Sequence, residues 1–325
     1  MKTYGLVLAF TRVVAFLTLC AANVHAQPAY PSKPIKLVVG FSAGSATDKA
    51  ARILADRLSP ILGQQLVVEN RPGASSFIAT EAVANAAPDG YTILFSSSSA
   101  TVITASRDNA QTRAYKSLVP VAQVANTPCI LVVHPSLGVK SVWEFIALAK
   151  SKPDGISYAS SGPGSSPHMS AELFSSVTGV KMLHVPYKGS SGALNDLLPG
   201  LVPVMFSPAS SVLPHIKSGK LIALATTGSQ SISQLGIPTL SESGLPGFSL
   251  SLWFGVLAPK GTDPALVQKL ASAIEKAQAD PETNKQLSTL DMSVMKAGPV
   301  EFGAFINSEI ARWSVLIKVN NIVIN

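Results

Sequence analysis

The fold is decided by a stretch near the start of the chain, Ile35-Lys36-Leu37-Val38-Val39-Gly40-Phe41-Ser42-Ala43-Gly44-Ser45-Ala46-Thr47-Asp48. Its apolar, β-branched first part predicts a buried strand. A loop of small residues follows, and a helical pattern begins at Ala50. The capping-box spacing Ser45-x-x-Asp48 predicts the helix start near Ser45. A helix that starts at such a loop directs its free N–H groups and the positive end of its dipole at the loop. The stretch therefore predicts an anion-binding loop between a strand and a helix.

Strand and helix patterns alternate along the rest of the chain. Further strands are predicted at Leu66–Asn70, Tyr91–Phe95, Cys129–Val133, Ile156–Ala159, Val202–Phe206 and Leu221–Thr226, with a short one that ends at Pro186. This alternation predicts an α/β fold with a mixed, mainly parallel sheet flanked by helices. Several of the strands end in Ser/Gly loops that open helices. Because ligands of open α/β sheets lie beyond the carboxyl ends of the strands, we expect these loops to form one site.

Two stretches, Val119–Thr127 and Leu245–Trp253, are interpreted as places where the chain changes direction. Long helices are predicted after the second, at Pro264–Asp280 and Val300–Val319. A discontinuous first domain, 27–126 plus 249–325, with a second domain, 127–248, inserted in it, explains why the chain passes twice between domains. The ligand cleft is then expected between the two domains.

Residues 1–26 have the pattern of a signal peptide. Lys2 and Arg12 are positive, Val13–Ala22 is apolar, and Val24-His25-Ala26 resembles an A-x-A cleavage site. We expect cleavage after Ala26 and export of a soluble protein; an uncleaved anchor is the alternative. Leu17-Thr18-Leu19-Cys20 loosely resembles a lipidation site, but the bulky residue before Cys20 disfavours it.

Composition and charge exclude several classes of function. The chain has 325 residues, of which 47% are hydrophobic and 13% charged, a composition typical of packed globular domains. The formal charge of +7 falls to +5 when Lys2 and Arg12 are removed. The basic residues are scattered singly, so no nucleic-acid surface is predicted. A mild positive field weakly favours a small anionic ligand.

Catalysis by Ser42 is the main alternative function. Gly40-Phe41-Ser42-Ala43-Gly44 is formally a G-x-S-x-G motif between a strand and a helix, as a nucleophile elbow requires. However, it follows the first strand, and the later histidines lack an obvious acid partner in chain order. A secreted serine hydrolase is therefore the alternative, and an anion loop is the preferred interpretation.

No cofactor or metal is predicted. The histidines at 134, 168, 184 and 215 are isolated, without ligand spacing such as H-x-x-x-H. Gly162-x-Gly164 continues to Pro167 where a dinucleotide motif needs glycine, and no Walker lysine sequence is present. Cys129 lies in an apolar run and is interpreted as a buried, inert thiol. The serine hydroxyls and backbone N–H groups of the loops can hold a carboxylate without titratable groups.

Several motifs together resemble the Bug receptors, the TctC-like periplasmic substrate-binding proteins of tripartite tricarboxylate transporters. They are residues 35–48, Leu62-Gly63-Gln64-Gln65-Leu66-Val67-Val68-Glu69-Asn70-Arg71-Pro72-Gly73-Ala74, Pro88-Asp89-Gly90-Tyr91-Thr92, Ser161-Gly162-Pro163-Gly164-Ser165-Ser166-Pro167-His168, His184-Val185-Pro186-Tyr187-Lys188-Gly189, Ile216-Lys217-Ser218-Gly219-Lys220-Leu221, Pro246-Gly247-Phe248 and Trp253-Phe254-Gly255-Val256-Leu257-Ala258-Pro259. The resemblance implies a two-domain Venus-flytrap fold of the type II periplasmic binding proteins. It also implies a monomeric periplasmic receptor that closes on a small organic carboxylate and hands it to membrane transporter subunits. A sensor subunit for a signalling receptor is a further alternative.

The resemblance also implies the binding residues. The first-strand loop maps onto Ser42, Ala43, Gly44 and Ser45, the third-strand loop onto Ser97 and Ser98, and the loop of the second domain onto Ser161, Ser165, Ser166 and His168. Asp48 matches a family aspartate that we interpret as a helix cap and loop orienter.

The sequence also departs from the family. Ser75-Ser76 stands where the family often has two glycines, and Ala114-Tyr115-Lys116-Ser117 stands where a Pro-Tyr-Asp-Pro-like segment is expected. Ser207, which we include among the candidate ligand-binding residues, lies near a position that is frequently aspartate in the family, at the end of the Val202–Phe206 strand. Loss of that negative charge weakens the case for a ligand that bears an amino group.

Overall fold

The structure, a computed structural model, describes residues 30–107, 109–232 and 235–324. The predicted signal peptide, its cleavage site after Ala26 and Cys20 lie outside these residues. Contacts divide the chain after Ser32, and all elements below belong to the unit Lys33–Asn325. In the described part of this chain, no helix is long and apolar enough to cross a membrane.

The deciding stretch folds as predicted. Strand β1 spans Ile35–Val39 and is mostly buried, and helix α1 spans Ala46–Leu62. The Ser45 hydroxyl caps this helix by accepting the N–H of Asp48, which is the predicted capping contact. Gly63 ends the helix at φ 71°, in the left-handed region that glycine adopts without strain.

The remaining elements follow in chain order. The other strands are β2 Leu66–Asn70, β3 Thr92–Ser97, β4 Leu118–Val133, β5 Ile156–Ser160, β6 Met182–Pro186, β7 Val204–Pro208, β8 Ile222–Thr226, β9 Ser251–Pro259 and β10 Ser293–Ala297. The other helices are α2 Phe77–Ala84, α3 Ser99–Ser106, α4 Ala110–Lys116, α5 Val142–Lys150, α6 Ser166–Thr178, α7 Ser190–Leu197, α8 Ala209–Lys217, α9 Pro264–Ala279, α10 Pro281–Thr289 and α11 Pro299–Val319. Short 3₁₀ turns lie at Ala74–Ser76 and Pro135–Leu137.

The strands form two sheet regions that share β4. The first sheet region contains β2, β1, β3, β9, β10 and the part of β4 up to Pro128. The second sheet region contains β5, β6, β7, β8 and the part of β4 from Cys129 to Val133. The chain passes from the first region to the second along β4 and re-enters the first along β9.

The sheet is mixed, as predicted, but it is not mainly parallel. Parallel pairs join β1 to β2 and β3, and β5 to β6 and β7. Every described pair made by β4 or β9 is antiparallel. The reason is that β4 and β9 are neighbours that carry the chain in opposite directions between the two regions.

Several element boundaries differ from the sequence prediction. Val119–Thr127, expected as a change of direction, lies inside the single 16-residue strand β4. Register shifts in the pairing of β4 with β9 let this strand continue where a break was expected. Ser96 and Ser97, beyond the predicted end of the third strand at Phe95, belong to β3 itself.

Apolar side chains pack on both sheet regions. In the first region, Trp253 packs against Phe302 of α11 with their rings edge to face. In the second, Phe174 lies between Phe145 and Phe206. The far end of α11 reaches this second core through Trp313. These cores fix the strands, and thereby the loops at the strand ends.

Candidate ligand-binding site

Four helices begin at one small cavity, which we call the inner cavity. The first residues of α1, α3, α6 and α7 line it, and its volume is about 20 Å³. That is room for about one water molecule. Its lining residues are Phe41, Ser45, Ala46, Thr47, Ser97, Ser99, Ser161, Ser165, Ser166, Pro167, Ser190, Pro208 and Leu252.

The inner cavity offers hydrogen-bond donors without a formal charge. None of its lining residues is ionisable, and most of them are serine. The first N–H groups of each helix have no acceptor within the helix, so those of α1 and α7 are available to a ligand. The helix dipoles add positive potential at the same place. Such a site is suited to an anion that is held by N–H and O–H groups.

The loop before α1 is held from behind by Asp48. One carboxylate oxygen, Oδ2, accepts the N–H of Gly44 at 2.9 Å and the Nε–H of Arg52 at 3.0 Å. The other, Oδ1, accepts the amide of Asn70 at 2.8 Å. Burial acts to raise the pKa of Asp48, but the hydrogen bonds from Arg52, Gly44 and Asn70 outweigh it and lower that pKa. Asp48 therefore stays ionised, and its oxygens accept hydrogen bonds from the loop and from its neighbours Arg52 and Asn70.

The loop before α6 is held in a similar way. The Ser165 hydroxyl donates to the Gly162 carbonyl at 2.6 Å and accepts the N–H of His168 at 3.4 Å. Nδ1 of His168 accepts the N–H of Gly164 at 3.0 Å. His168 is buried and is absent from the lining of the inner cavity. It supports the loop from below instead of facing the cavity.

A second histidine lies beneath this loop. The rings of His168 and His184 stack with centroids 4.2 Å apart, and His184 Nε2 lies 2.6 Å from the Ser160 hydroxyl. Burial, and to a smaller extent the neighbouring His184, lowers the pKa of His168 to about 3. Burial lowers the pKa of His184 to about 4. Both rings are therefore neutral near pH 7, which lets Nδ1 of His168 act as an acceptor.

Loops of the two sheet regions contact each other directly. The Ser98 and Ser166 hydroxyls are 2.8 Å apart, and the Ser42 hydroxyl donates to the Lys188 carbonyl at 2.9 Å. Lys49 Nζ donates to the Ser210 carbonyl at 3.0 Å. The Ser191 hydroxyl donates to the Ala43 carbonyl, and the Ser75 hydroxyl to the Pro163 carbonyl. The site is thus closed by hydrogen bonds between protein groups.

A larger cavity, which we call the outer cavity, adjoins the inner one and shares Phe41 and Ser161 with it. Its volume is about 390 Å³, within the range of small-molecule sites. The charged side chains in its lining, Arg107 and Lys188, are both cations. The remaining lining residues are Gly40, Gly73, Ala74, Ser75, Ser76, Gln111, Gly162, Pro163, Pro186 and Tyr187.

The structure brings together most of the predicted residues. Ser45, Ser97, Ser161, Ser165 and Ser166 line the inner cavity, and Ser98 contacts Ser166. Ser42, Ala43 and Gly44 form the partly exposed loop above it. Ser207 is different, since it is fully buried in β7 and absent from the lining, while its neighbour Pro208 lines the cavity.

Sequence reasoning missed three polar lining residues, namely Thr47, Ser99 and Ser190. Each lies in the first turn of a helix that follows a Ser/Gly loop. Ser190 had a usable signal, because Gly189-Ser190 repeats the loop-to-helix pattern of the deciding stretch. The outer cavity, with Arg107 and Lys188, left no comparable signal because it is assembled from distant loops.

Solved structures define the class of protein. The structure of the periplasmic binding protein BugD superimposes with a TM-score of 0.86 at 33% identity, covering 90% of this chain and 99% of that one. A structure from R. palustris with adipate superimposes with a TM-score of 0.87 at 32% identity, covering 90% of this chain and 99% of that one. The structure of MatC from Rhodopseudomonas palustris with bound malate superimposes with a TM-score of 0.84 at 30% identity, covering 89% of this chain and 100% of that one. The fold is the two-domain fold of periplasmic binding proteins, as predicted.

Sequence comparison then gives the family. The sequence model of the Tripartite tricarboxylate transporter family receptor matches residues 50–322. Protein BugT of Bordetella pertussis is 38% identical over 301 residues, which are 92% of each chain. The chain belongs to the tripartite tricarboxylate transporter receptor family, so the resemblance found in the sequence is confirmed. The members of this family are solute receptors of the periplasm.

Proposed function

We propose that this receptor binds a small organic carboxylate between its two domains and delivers it to the membrane subunits of a tripartite tricarboxylate-type transporter. The observation that carries the proposal is the inner cavity, where four helices begin among serine hydroxyls and where the lining has no charge. A carboxylate is an acceptor-only group that matches this set of donors. Charge-assisted hydrogen bonds from N–H and O–H groups stabilise it without a cation.

The two cavities support a binding mode in which different parts of the ligand occupy the inner and the outer cavity. The inner cavity has the donors for one carboxylate, and the outer cavity has volume for the rest of a small molecule. In the closed arrangement, the inner cavity has room for about one water, so ligand entry requires the loops to separate. The two relatives that hold adipate and malate favour the same class of ligand for this chain.

We propose that the chain performs no catalysis. The Ser42 hydroxyl donates to the Lys188 carbonyl, so it is engaged with an acceptor that cannot serve as a general base. The pair His168–His184 lies beneath the other loop and makes its contacts with Gly164 and Ser160. This arrangement disfavours the serine hydrolase alternative.

The domain bounds, the signal peptide and the monomeric state expected from the sequence are also part of the proposal. We place the first domain at 27–126 plus 249–325 and the second at 127–248, with support from the passage of the chain along β4 and β9. The end of α11 packs on the second core through Trp313 and thereby joins the two. We further propose export through a signal peptide cleaved after Ala26, and function as a monomer.

A titration of carboxylates tests the proposal. Malate, adipate and a panel of mono-, di- and tricarboxylates are screened by thermal shift, because a ligand specific for the folded state raises the melting temperature. Affinities of the compounds that do so are then measured by calorimetry. A flat response to every carboxylate would contradict the proposal.

One variant tests the helix N-terminus directly. Ala46→Pro removes the first N–H of α1 at the inner cavity, and proline suits this position since Ser45 is extended at ψ 163°. We expect the affinity for the carboxylate to fall at least about 10-fold, because one charge-assisted hydrogen bond is lost. Val142→Pro makes the same change at the start of α5, where Ser141 is extended at ψ 160°, and should leave affinity unchanged. Equal losses in the two variants would refute the assigned role of the α1 N-terminus.

A further inference from the structure

A strained turn faces the outer cavity. Ala74, Ser75 and Ser76 have φ values of 44°, 54° and 75°, a conformation that favours glycine. Few L-residues adopt it, and three in succession are rare. Backbone strain of this kind persists only where the surroundings stabilise it.

Part of this support comes from the first sheet region itself. The Gln111 side chain donates to the Ala74 carbonyl at 2.8 Å, and the Thr80 hydroxyl donates to the Ser76 carbonyl at 3.0 Å. These contacts fix the carbonyls of the turn from the α2 and α4 side. They leave the side chain of Ser75 directed at the opposite loop.

The Ser75 hydroxyl donates to the Pro163 carbonyl at 2.6 Å, across 88 residues of sequence. Pro163 stands between Gly162 and Gly164, in the loop that leads to the inner cavity. A Cβ added to Gly162 would lie 3.6 Å from the Ser75 hydroxyl and 3.1 Å from the Tyr187 carbonyl. The two loops therefore approach each other closely at this point, and both line the outer cavity.

We propose that Ser75 is a positioning residue that holds the two loops together over the ligand, and so sets the affinity of the closed receptor. The proposal rests on the proposed function, since it requires a protein that closes on its ligand. The strained φ of Ser75 is explained by this role, because the turn aims its hydroxyl at Pro163.

Two substitutions separate the effect of the Ser75 hydroxyl from the effect of the backbone strain. Ser75→Ala removes the hydroxyl and keeps the strained backbone, whereas Ser75→Gly removes both. We expect each to weaken the binding of malate or adipate by about 3- to 10-fold, the effect of one hydrogen bond. Only Ser75→Gly should raise the melting temperature of the ligand-free protein. A merely structural role of the turn would move stability and leave affinity unchanged.

Asp291→Gly is the matched control. Asp291 has φ 55°, nearly the same as Ser75, and is absent from the lining of both cavities. This variant should raise the melting temperature and leave affinity within 2-fold. A loss of affinity equal to that of Ser75→Gly would mean that backbone relaxation alone lowers affinity, and the proposal would be overturned.

Hydrogen exchange gives a readout that needs no ligand. The Ser42 N–H donates to the Lys188 carbonyl at 3.3 Å, so its exchange reports separation of the loops. In the ligand-free protein, Ser75→Ala and Ser75→Gly should speed exchange at Ser42 about 3- to 10-fold, and Asp291→Gly should not. If neither malate nor adipate binds but exchange responds to Ser75, the positioning role stands and the proposed function fails for these ligands. If they bind and Ser75 alters neither affinity nor exchange, the positioning role is refuted and the proposed function stands.

Discussion

The hydroxyl of Ser98, which precedes α3, lies 2.8 Å from the hydroxyl of Ser166, the first residue of α6. Both side chains are buried, and they belong to different sheet regions. Each hydroxyl can donate one hydrogen bond and accept two. The pair can therefore bridge the loops in the ligand-free protein and turn a donor toward a ligand oxygen when one enters.

This pairing predicts coupled effects on binding. Ser98→Ala and Ser166→Ala should each weaken carboxylate binding by about 3- to 10-fold, because each removes a hydroxyl worth about 0.5–1.5 kcal/mol. Calorimetry on the double variant should show a loss smaller than the product of the single losses, since the two groups act on each other. Ser59→Ala removes a hydroxyl that donates to the Ala55 carbonyl and accepts the N–H of Leu66, outside the lining of both cavities, and is the control for affinity. Strictly multiplicative losses would contradict the coupling.

Asp48 is predicted to act on binding through Gly44. Asp48→Asn keeps the size of the side chain but loses the charge that attracts Arg52 and the Gly44 N–H. We expect a loss of about 1–3 kcal/mol in the free energy of unfolding, measured by denaturant titration, and weaker ligand binding.

Asp280→Asn is the control for Asp48→Asn. Asp280 also accepts an N–H at a helix start, that of Thr283, and pairs with Arg57. It is absent from the lining of both cavities, so its substitution should leave affinity unchanged. Equal affinity in the wild type and Asp48→Asn would exclude a role of the carboxylate in holding the loop for the ligand.

The sequence was sufficient for local features of the site. The cap at Ser45 depends on residues three apart, Ser45 and Asp48, and so it is visible as a motif. The continuation of β4 through Pro120 and Pro128 could not be predicted from the sequence, because it depends on pairing with β9, more than a hundred residues away. The polar contacts between loops, such as Ser75 with Pro163, depend on the same long-range packing.

The departure at Ser75-Ser76 has a structural counterpart. Both serines have positive φ, so a glycine would be unstrained at either position. The sequence showed that glycines were missing but gave no reason for it. The reason lies in the tertiary structure, where the side chains of Ser75 and Ser76 contact Pro163 and the backbone of Gly40.

Gly40 and Ser76 predict a rescue experiment. A Cβ added to Gly40 would lie 1.9 Å from the Ser76 hydroxyl and 2.5 Å from its Cβ. Gly40→Ala should therefore cost about 1–3 kcal/mol in the free energy of unfolding. Ser76→Gly removes both clashing atoms and should restore part of this loss. A contact of 2.8 Å with the Cα of Ser76 remains, so the rescue should be incomplete.

Gly63→Ala is the control for this rescue. Gly63 has a positive φ of 71°, and nothing lies within 4 Å of a Cβ added there. The substitution should cost about 1 kcal/mol through strain alone, and Ser76→Gly should not restore it. Chemical denaturation of the wild type, the three single variants and the two double variants measures both cycles. Rescue in both backgrounds would show a general stabilisation by Ser76→Gly instead of a relieved clash.

The buried histidine pair predicts a loss of stability in mild acid. Burial lowers the pKa of His168 to about 3 and that of His184 to about 4, against an ordinary value of about 6.5 in the unfolded chain. Below pH 6.5, the unfolded state therefore takes up protons that the folded state does not. Stability is fully present above pH 6.5 and falls as the pH drops toward 4, by at most about 1.4 kcal/mol per pH unit for each ring.

His168→Asn isolates the contribution of one ring. The Asn oxygen can accept the Gly164 N–H in place of Nδ1, but the side chain does not titrate. Denaturant titrations between pH 8 and pH 5 should show a shallower decline for the variant than for the wild type. Above pH 7, where both rings are neutral in either state, the two curves should run parallel. Identical slopes between pH 6.5 and pH 5 would mean that His168 takes up a proton in the folded protein, in conflict with its stacking on His184 and its bond to Gly164.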